Sequence, residues 1–244
     1  MADVRISKTP VLLELFSGMG AISHTFEALG GKAYRVDWSP SVDADLHADV
    51  AGLSISDVLD LCGGVPSSIW ASPQCTTYSL AACGRHRTID EWLQPKTDLA
   101  RADDRVNRAL WRLIDGLTAL GTRYYFVENP VGTMRRMDFV ARRPRWTVTY
   151  CTYGCRGNAA GHEDAFIMKP TDIWTNHPHP QFLPRCPAGN PPHVHGDWSV
   201  ARKRDYLSRG EMPEQLVGHL ASLLIGRRVV VPGILATLFD EVCG

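Results

Sequence analysis

Ser72-Pro73-Gln74-Cys75-Thr76-Thr77-Tyr78-Ser79 is the stretch of this chain best suited to do chemistry. It follows a short apolar run, Ser68 to Ala71, that reads as a buried strand. Pro73 has no N–H to give to a sheet, so the strand ends there. Cys75 then falls just beyond a strand's carboxyl end, where open α/β sheets bind their ligands. A second reactive group, Glu128, follows another apolar run, Arg123 to Val127. Parallel pairing of those two strands would turn the thiol and the carboxylate toward one cleft. A cysteine adds to electron-poor carbons, and a nearby carboxylic acid can protonate the anion that forms. Burial would have to keep Glu128 protonated for that task. A lone cysteine is more often core packing, but Pro73 and the polar Thr76-Thr77 argue against a core position here.

The elements that must position this pair can be read in order. Val11 to Phe16 is a short apolar strand, followed by the turn Ser17-Gly18-Met19-Gly20 and by helical spacing from Ala21 to Leu29. Such a strand–glycine turn–helix lets a backbone approach a nucleotide-like ligand. Lys32 to Val36 reads as the next strand and ends on Asp37-Trp38. Asp37 is placed to accept from ribose hydroxyls, Trp38 to stack on a base, and Asp49 to accept from an exocyclic amine. The plain alternative is a surface acid and a half-buried tryptophan. The spacing departs from GxGxxG, which argues against nicotinamide or flavin cofactors. Ser54 caps a helix over Ile55 to Leu61. Thr76 to Asp104 lacks periodicity and reads as a lid or binding loop. Arg105 to Leu120 reads as an amphipathic helix. Thr147 to Tyr153 alternates as a strand, with Ala165 to Met168 as its expected neighbour. Met212 to Gly226 forms a last helix with Pro213 in its first turn.

The 244 residues suffice for one large α/β domain, and 26 basic against 26 acidic side chains give no net field toward an anionic partner. Seven scattered cysteines fit a reducing compartment. With no apolar leader in Met1 to Pro10 and no run of about 20 apolar residues, the expectation is a cytosolic protein without membrane attachment.

At these positions the chain resembles the DNA cytosine-5 methyltransferases, of the small phage-associated kind. Leu15-Phe16-Ser17-Gly18-Met19-Gly20 resembles the first cofactor motif, and Asp37-Trp38 and Asp49 the next two. Ser72-Pro73-Gln74-Cys75 resembles the nucleophile motif, and Glu128-Asn129-Pro130 its acidic partner. Lys169 to Asn176 and Met212-Pro213-x-x-Leu216 resemble later segments, so the likeness runs through most of residues 10–228 in order. The resemblance implies a Rossmann-like S-adenosylmethionine-dependent fold, a mostly parallel mixed sheet with helices on both faces. It implies Cys75 as nucleophile on carbon 6 of cytosine and Glu128 at ring nitrogen 3. Phe16, Ser17, Gly18, Met19, Gly20, Asp37, Trp38, Asp49, Ser72 and Pro73 would hold the donor. Gln74, Arg85, Arg87, Asn129 and Lys169 would meet the substrate, with Arg85 and Arg87 on phosphates. The partner would be double-stranded DNA with its target base flipped out; no protein partner is implied.

Two departures stand out. Gln74 replaces the family's usual proline, and the family's Gln-x-Arg-x-Arg motif is not recognisable; Arg156 and Lys169 are candidates for its place, and the sequence assigns the role to neither. The same motifs fit a carboxylated S-adenosylmethionine donor, an RNA substrate, or a binding module that has lost turnover. Residues 1–176 read as the catalytic core, 177–205 as a loop-rich insertion in the place of a large target-recognition domain, and 206–244 as a helix packing back. Cys151, Cys155, Cys186 and His193 are of zinc-ligand type, though a core role for Cys151 is as good a reading.

Overall fold

A computed structural model describes residues 9–90, 93–155, 166–187 and 212–227. Its centre is a seven-stranded sheet. The strands are β1 (Val11–Leu15), β2 (Lys32–Asp37), β3 (Leu46–His47), β4 (Ser68–Ala71), β5 (Tyr124–Pro130), β6 (Arg145–Thr149) and β7 (Pro170–Thr175). Their spatial order is β3-β2-β1-β4-β5-β7-β6, with β7 antiparallel to both its neighbours and the rest parallel. The fold class expected from the sequence is therefore present.

Helices cover both faces, which is why the central strands are apolar on both sides. Alternate residues of β1 separate accordingly. Leu13 and Leu15 join Ile69, Val127 and α4 (Asp98–Leu120) in one core, while Leu12 joins Trp70, Phe126, α1 (Ala21–Ala28) and α5 (Glu214–Leu224) in the other. The short α2 (Ile55–Cys62) starts on a capping box between Ser54 and Asp57 and stops at left-handed Gly63, as its sequence predicts. Of the 177–205 segment, only its start is described: Pro180 and Leu183 rest on His219 and Tyr153. Val229 to Val231 and Ile234 to Val242 lie outside the described residues.

Three boundaries differ from the sequence reading. Helix α4 begins at Asp98, seven residues before Arg105, on an N-cap by Thr97. Its first turns hide their periodicity because, apart from the small Ala100, the residues buried there, Asp103, Asp104 and next Asn107, are polar. The strand beside β6 is Pro170–Thr175, which begins after Met168, while Ala165 lies outside the described residues, and β6 gives way to a 3-10 turn at Tyr150–Tyr153. Strand β5 runs on through Glu128 to Pro130 because antiparallel β7 supplies a partner there after β4 has stopped.

One polar residue sits within β1, a strand paired on both sides and buried along its whole length. Glu14 is 2% exposed and accepts from the backbone N–H of Ser23 at 2.9 Å and from the Ser23 hydroxyl. Burial raises its carboxyl from 4.5 to about 7 against those hydrogen bonds. The unfolded chain therefore releases this proton between pH 4.5 and about 7 while the fold retains it, so stability falls as pH rises through that window. A shift of this size corresponds to a loss of about 3 kcal/mol above it. Glu14→Gln should accordingly melt higher than the parent at pH 8, with the difference closing toward pH 4.5; thermal denaturation across that range checks it.

Candidate active site

The strand order reverses between β1 and β4, so the loops leaving their carboxyl ends diverge and open a crevice. The Cys75 segment leaves β4 at that point. Beyond Ala71 the β4–β5 ladder ends, and side chains take over. Ser72 Oγ donates to Glu128 Oε2 at 2.7 Å, and Asn129 Nδ2 donates to the Pro73 carbonyl at 2.9 Å. Glu128 is 5% exposed and Asn129 1%. Strands β4 and β5 are parallel neighbours, and the segments carrying Cys75 and Glu128 leave the sheet side by side. Burial, and after it the Glu128 carboxylate, push the Cys75 thiol up from 9.0, while the Lys169 ammonium pulls it down.

Behind Cys75 the chain is clamped to α4. Arg87 is completely buried, and its Nη2 and Nη1 donate to the two carboxylate oxygens of Asp104 at 2.7 and 3.2 Å. It stacks over Tyr78 at 4.3 Å and donates through Nε to the Thr77 carbonyl. Tyr78 Oη donates to Asp104 at 2.7 Å, and Thr77 Oγ1 to Asp103 at 2.6 Å. This corrects the phosphate role expected of Arg87: a guanidinium with no exposed surface and a bidentate carboxylate partner is structural. Arg85, on the short α3 (Cys83–His86), is exposed.

From the other side, Gly132 comes so near the segment that a Cβ there would lie 2.2 Å from the Tyr78 carbonyl oxygen. Thr133 donates twice to that same oxygen, from its backbone N–H at 2.8 Å and its hydroxyl at 3.1 Å. The turn carrying Thr133 is in turn held by Arg135, which forks onto fully buried Asp172 of β7 at 2.6 and 2.9 Å. Lys169-to-Asn176 thereby acquires a physical meaning: β7 with its Arg135 anchor, closed by Asn176, which bonds Tyr125 N–H and the Arg123 carbonyl. The Lys169 ammonium lies 4.7 Å from the Tyr150 ring, and Tyr150 Oη points at Glu128 Oε1 at 3.5 Å.

The crevice continues into a cleft of about 190 Å³, open to solvent. Phe16, Asp37, Trp38, Asp49 and Val50 line it together with Gln74. Leu99, Ala102, Asp103, Val106 and Asn107, one face of α4, form a wall of it. Asp37 is oriented by the N–H groups of Gly18 (3.1 Å) and Ser39 (2.9 Å). Phe16 adopts φ 58° and Gly18 φ 50°, a left-handed pair that folds the first turn back toward this acid. Trp38 is 61% exposed, with its face available, and Asp49 caps the next 3-10 turn through Ala51 N–H. Met19, 64% exposed, and Gly20 complete the turn that starts α1. Ser17 Oγ is buried with no hydrogen-bond partner among the described residues.

The sequence reading missed Asp103, Thr77, Tyr150 and the Arg135–Asp172 pair. The i,i+4 pair Asp103–Asn107 was legible only with α4 extended backward; the others become neighbours through tertiary structure. Among the described residues no three potential metal ligands come together. Cys151 and Cys186 are buried next to each other, burial pushing the Cys151 thiol up to about 11, and His193 lies outside the described residues. Among the described residues, no helix is long and apolar enough to cross a membrane.

No protein-family model and no curated protein matches this chain. Among solved structures it is similar to a methyltransferase of Entamoeba histolytica, EhMeth, at TM-score 0.45 and 12% identity over 78% of this chain and 57% of that one. It is also similar to a mutant of Spodoptera frugiperda DNMT2, at TM-score 0.43 and 15% identity over 77% of this chain and 54% of that one. The chain thus spans little more than half the length of each, and a likeness this loose says nothing of ligand or reaction.

The electrostatics around Cys75 have a measurable consequence. With the thiol raised above 9.0, its alkylation by iodoacetamide should still be accelerating with pH at pH 9. Glu128→Gln removes a repelling carboxylate and should speed alkylation at a fixed pH; Lys169→Met removes an attracting cation and should slow it, each by several-fold. Rates followed by mass spectrometry would show either sign reversed.

Proposed function

We propose that this chain transfers a methyl group from S-adenosylmethionine to carbon 5 of cytosine in DNA, through a covalent adduct on Cys75. The observation that carries this reading is the placement of a thiol and a buried carboxylate at the sheet's switch point, beside a cleft of nucleoside-binding type. The cleft's lining fits the donor. Among the described residues that line it are three carboxylates, Asp37, Asp49 and Asp103, and no Lys, Arg or His. That lining disfavours phosphate-bearing nucleotides and suits a nucleoside carrying positive charge. It favours plain S-adenosylmethionine over the carboxylated analogue for the same reason. Asp37 would take the ribose hydroxyls, Trp38 and Phe16 the adenine faces, and Asp49 its amine.

When bound, the donor supplies an electrophilic methyl group. Cys75 Sγ would give its proton to the Glu128 carboxylate, which is steadied by Ser72, and bond to carbon 6 of a flipped cytosine as Glu128 passes that proton to ring nitrogen 3. Carbon 5, made nucleophilic, would take the methyl group and leave S-adenosylhomocysteine. Carbon 5 then loses its own proton to solvent as the bond from carbon 6 to Cys75 breaks, and Glu128 takes the proton back from ring nitrogen 3 and returns it to the departing thiolate, which restores the aromatic ring. Asn129, pinned to the Pro73 carbonyl, keeps the Glu128 and Cys75 strand ends in register. Arg85, exposed on α3, and Lys169 would supply cations toward the nucleic acid backbone and base. The loop-rich segment from residue 177 to 205 is the place for target recognition.

The test joins two measurements. Nucleoside mass spectrometry on DNA from expressing cells should show 5-methylcytosine; a carboxymethyl mass instead would assign the modified donor. DNA carrying 5-fluorocytosine should be trapped covalently by the parent and not by Cys75→Ala, whose turnover should fall by roughly 10³-fold or more. Trapping of RNA alone would move the substrate, and no trapping of either would leave a binding module.

A further inference from the structure

The α4 wall of the cleft carries an acid to which the mechanism above gives no task. Asp103 is 7% exposed, lines the cleft, and accepts from Thr77 Oγ1 at 2.6 Å. Thr77 stands two residues after Cys75, and Gln74, immediately before Cys75, lines the same cleft. The other two acids sit elsewhere: Asp37 is oriented by Gly18 and Ser39 at the end of β2, and Asp49 caps the next 3-10 turn. Asp103 is thus the acid at the nucleophile's end of the cleft. One turn further along α4, Asn107 faces the same space with Oδ1 buried and unpartnered among the described residues, although its Nδ2 is used by Tyr78 and the Asp103 carbonyl. A polar acceptor left over next to a buried carboxylate is what a cleft awaiting a ligand shows.

Geometry restricts which part of a donor can reach this point. The transferred methyl group must arrive at the carbon adjacent to the one bonded by Cys75. The positive centre bearing that methyl group must then lie at the Cys75 end, which is where Asp103 is. We infer that Asp103 is a donor-binding residue that faces the sulfonium of S-adenosylmethionine and, through Thr77, links an occupied cleft to the seating of Cys75. This rests on the reading that the cleft holds that donor. The link is short: donor, Asp103 carboxylate, Thr77 hydroxyl, Cys75 two residues away. It is stiff as well, because Arg87 fixes the Thr77 carbonyl from behind.

Isothermal titration of the full chain with S-adenosylmethionine, and with S-adenosylhomocysteine as its counterpart lacking the sulfonium charge, tests the assignment without relying on turnover. Asp103→Asn keeps an acceptor for Thr77 and removes only the charge. It should weaken S-adenosylmethionine binding by about tenfold or more while changing S-adenosylhomocysteine binding by less than about threefold. Asp103→Ser serves as the second variant if Asp103→Asn does not give the parent's circular dichroism. A folded variant with both affinities unchanged, or with both lowered equally, overturns the inference. A parent that binds neither compound overturns the functional reading instead. For the link, saturating S-adenosylmethionine should change the iodoacetamide reactivity of Cys75 several-fold in the parent and leave it unchanged in Thr77→Val, which still binds the donor; an equal change in both proteins removes Thr77 from the assignment.

Discussion

The site depends on a register that outlasts its own sheet. Strands β4 and β5 pair in parallel, Ser68 opposite Tyr124 through Ala71 opposite Val127. Pro73 then takes the chain out of the ladder. The two hydrogen bonds that follow, Ser72 to Glu128 and Asn129 to Pro73, each join residues 56 apart, the same offset as the strand pairs. Side chains therefore carry the alignment on for two more positions after the backbone can no longer do so. Thiol and carboxylate are brought together by that continuation, and the polar groups it uses would be costly to bury unpaired.

Everything else around Cys75 serves to keep a non-repetitive segment in one place. Such a segment has no ladder of its own, so its carbonyls must be claimed individually. Arg87 claims that of Thr77, and Thr133 claims that of Tyr78. The two claimants come from opposite sides and are themselves fixed by buried carboxylates, Asp104 on α4 and, via Arg135, Asp172 on β7. The lid expected from Thr76 to Asp104 is consequently a packed element over its Arg87-clamped part rather than a free flap. Ion pairs this deep gain little net stability and are severe when half removed; their value here is positional.

How much of this was written in the sequence follows from range. Strands β1, β2 and β4, the glycine turn and the capped α2 rest on local signals, namely apolar runs, Gly and Pro punctuation and the Ser54 N-cap, and these were legible. Cys75 and Glu128 were legible because each follows an apolar run and a break. The start of α4 was not, since Asp103, Asp104 and Asn107 are buried polar residues whose partners, Thr77, Tyr78 and Arg87, approach only when folded. Arg87 was misjudged for the same reason: a charged residue in a polar stretch reads as surface until its carboxylate is seen. Tyr150 and Lys169 lie on different strands' ends and meet only through the β6–β7 pairing.

The contrast between two neighbouring arginines has a practical side. Arg85 is exposed on a four-residue helix, whereas Arg87, two residues on, has no exposed surface. A protease that cuts after arginine can reach the second bond only when the nucleophile's segment has lifted from α4. The pair is a built-in footprint: cleavage at one position and protection at the other reports, from a peptide map alone, whether Cys75 is seated in a given preparation.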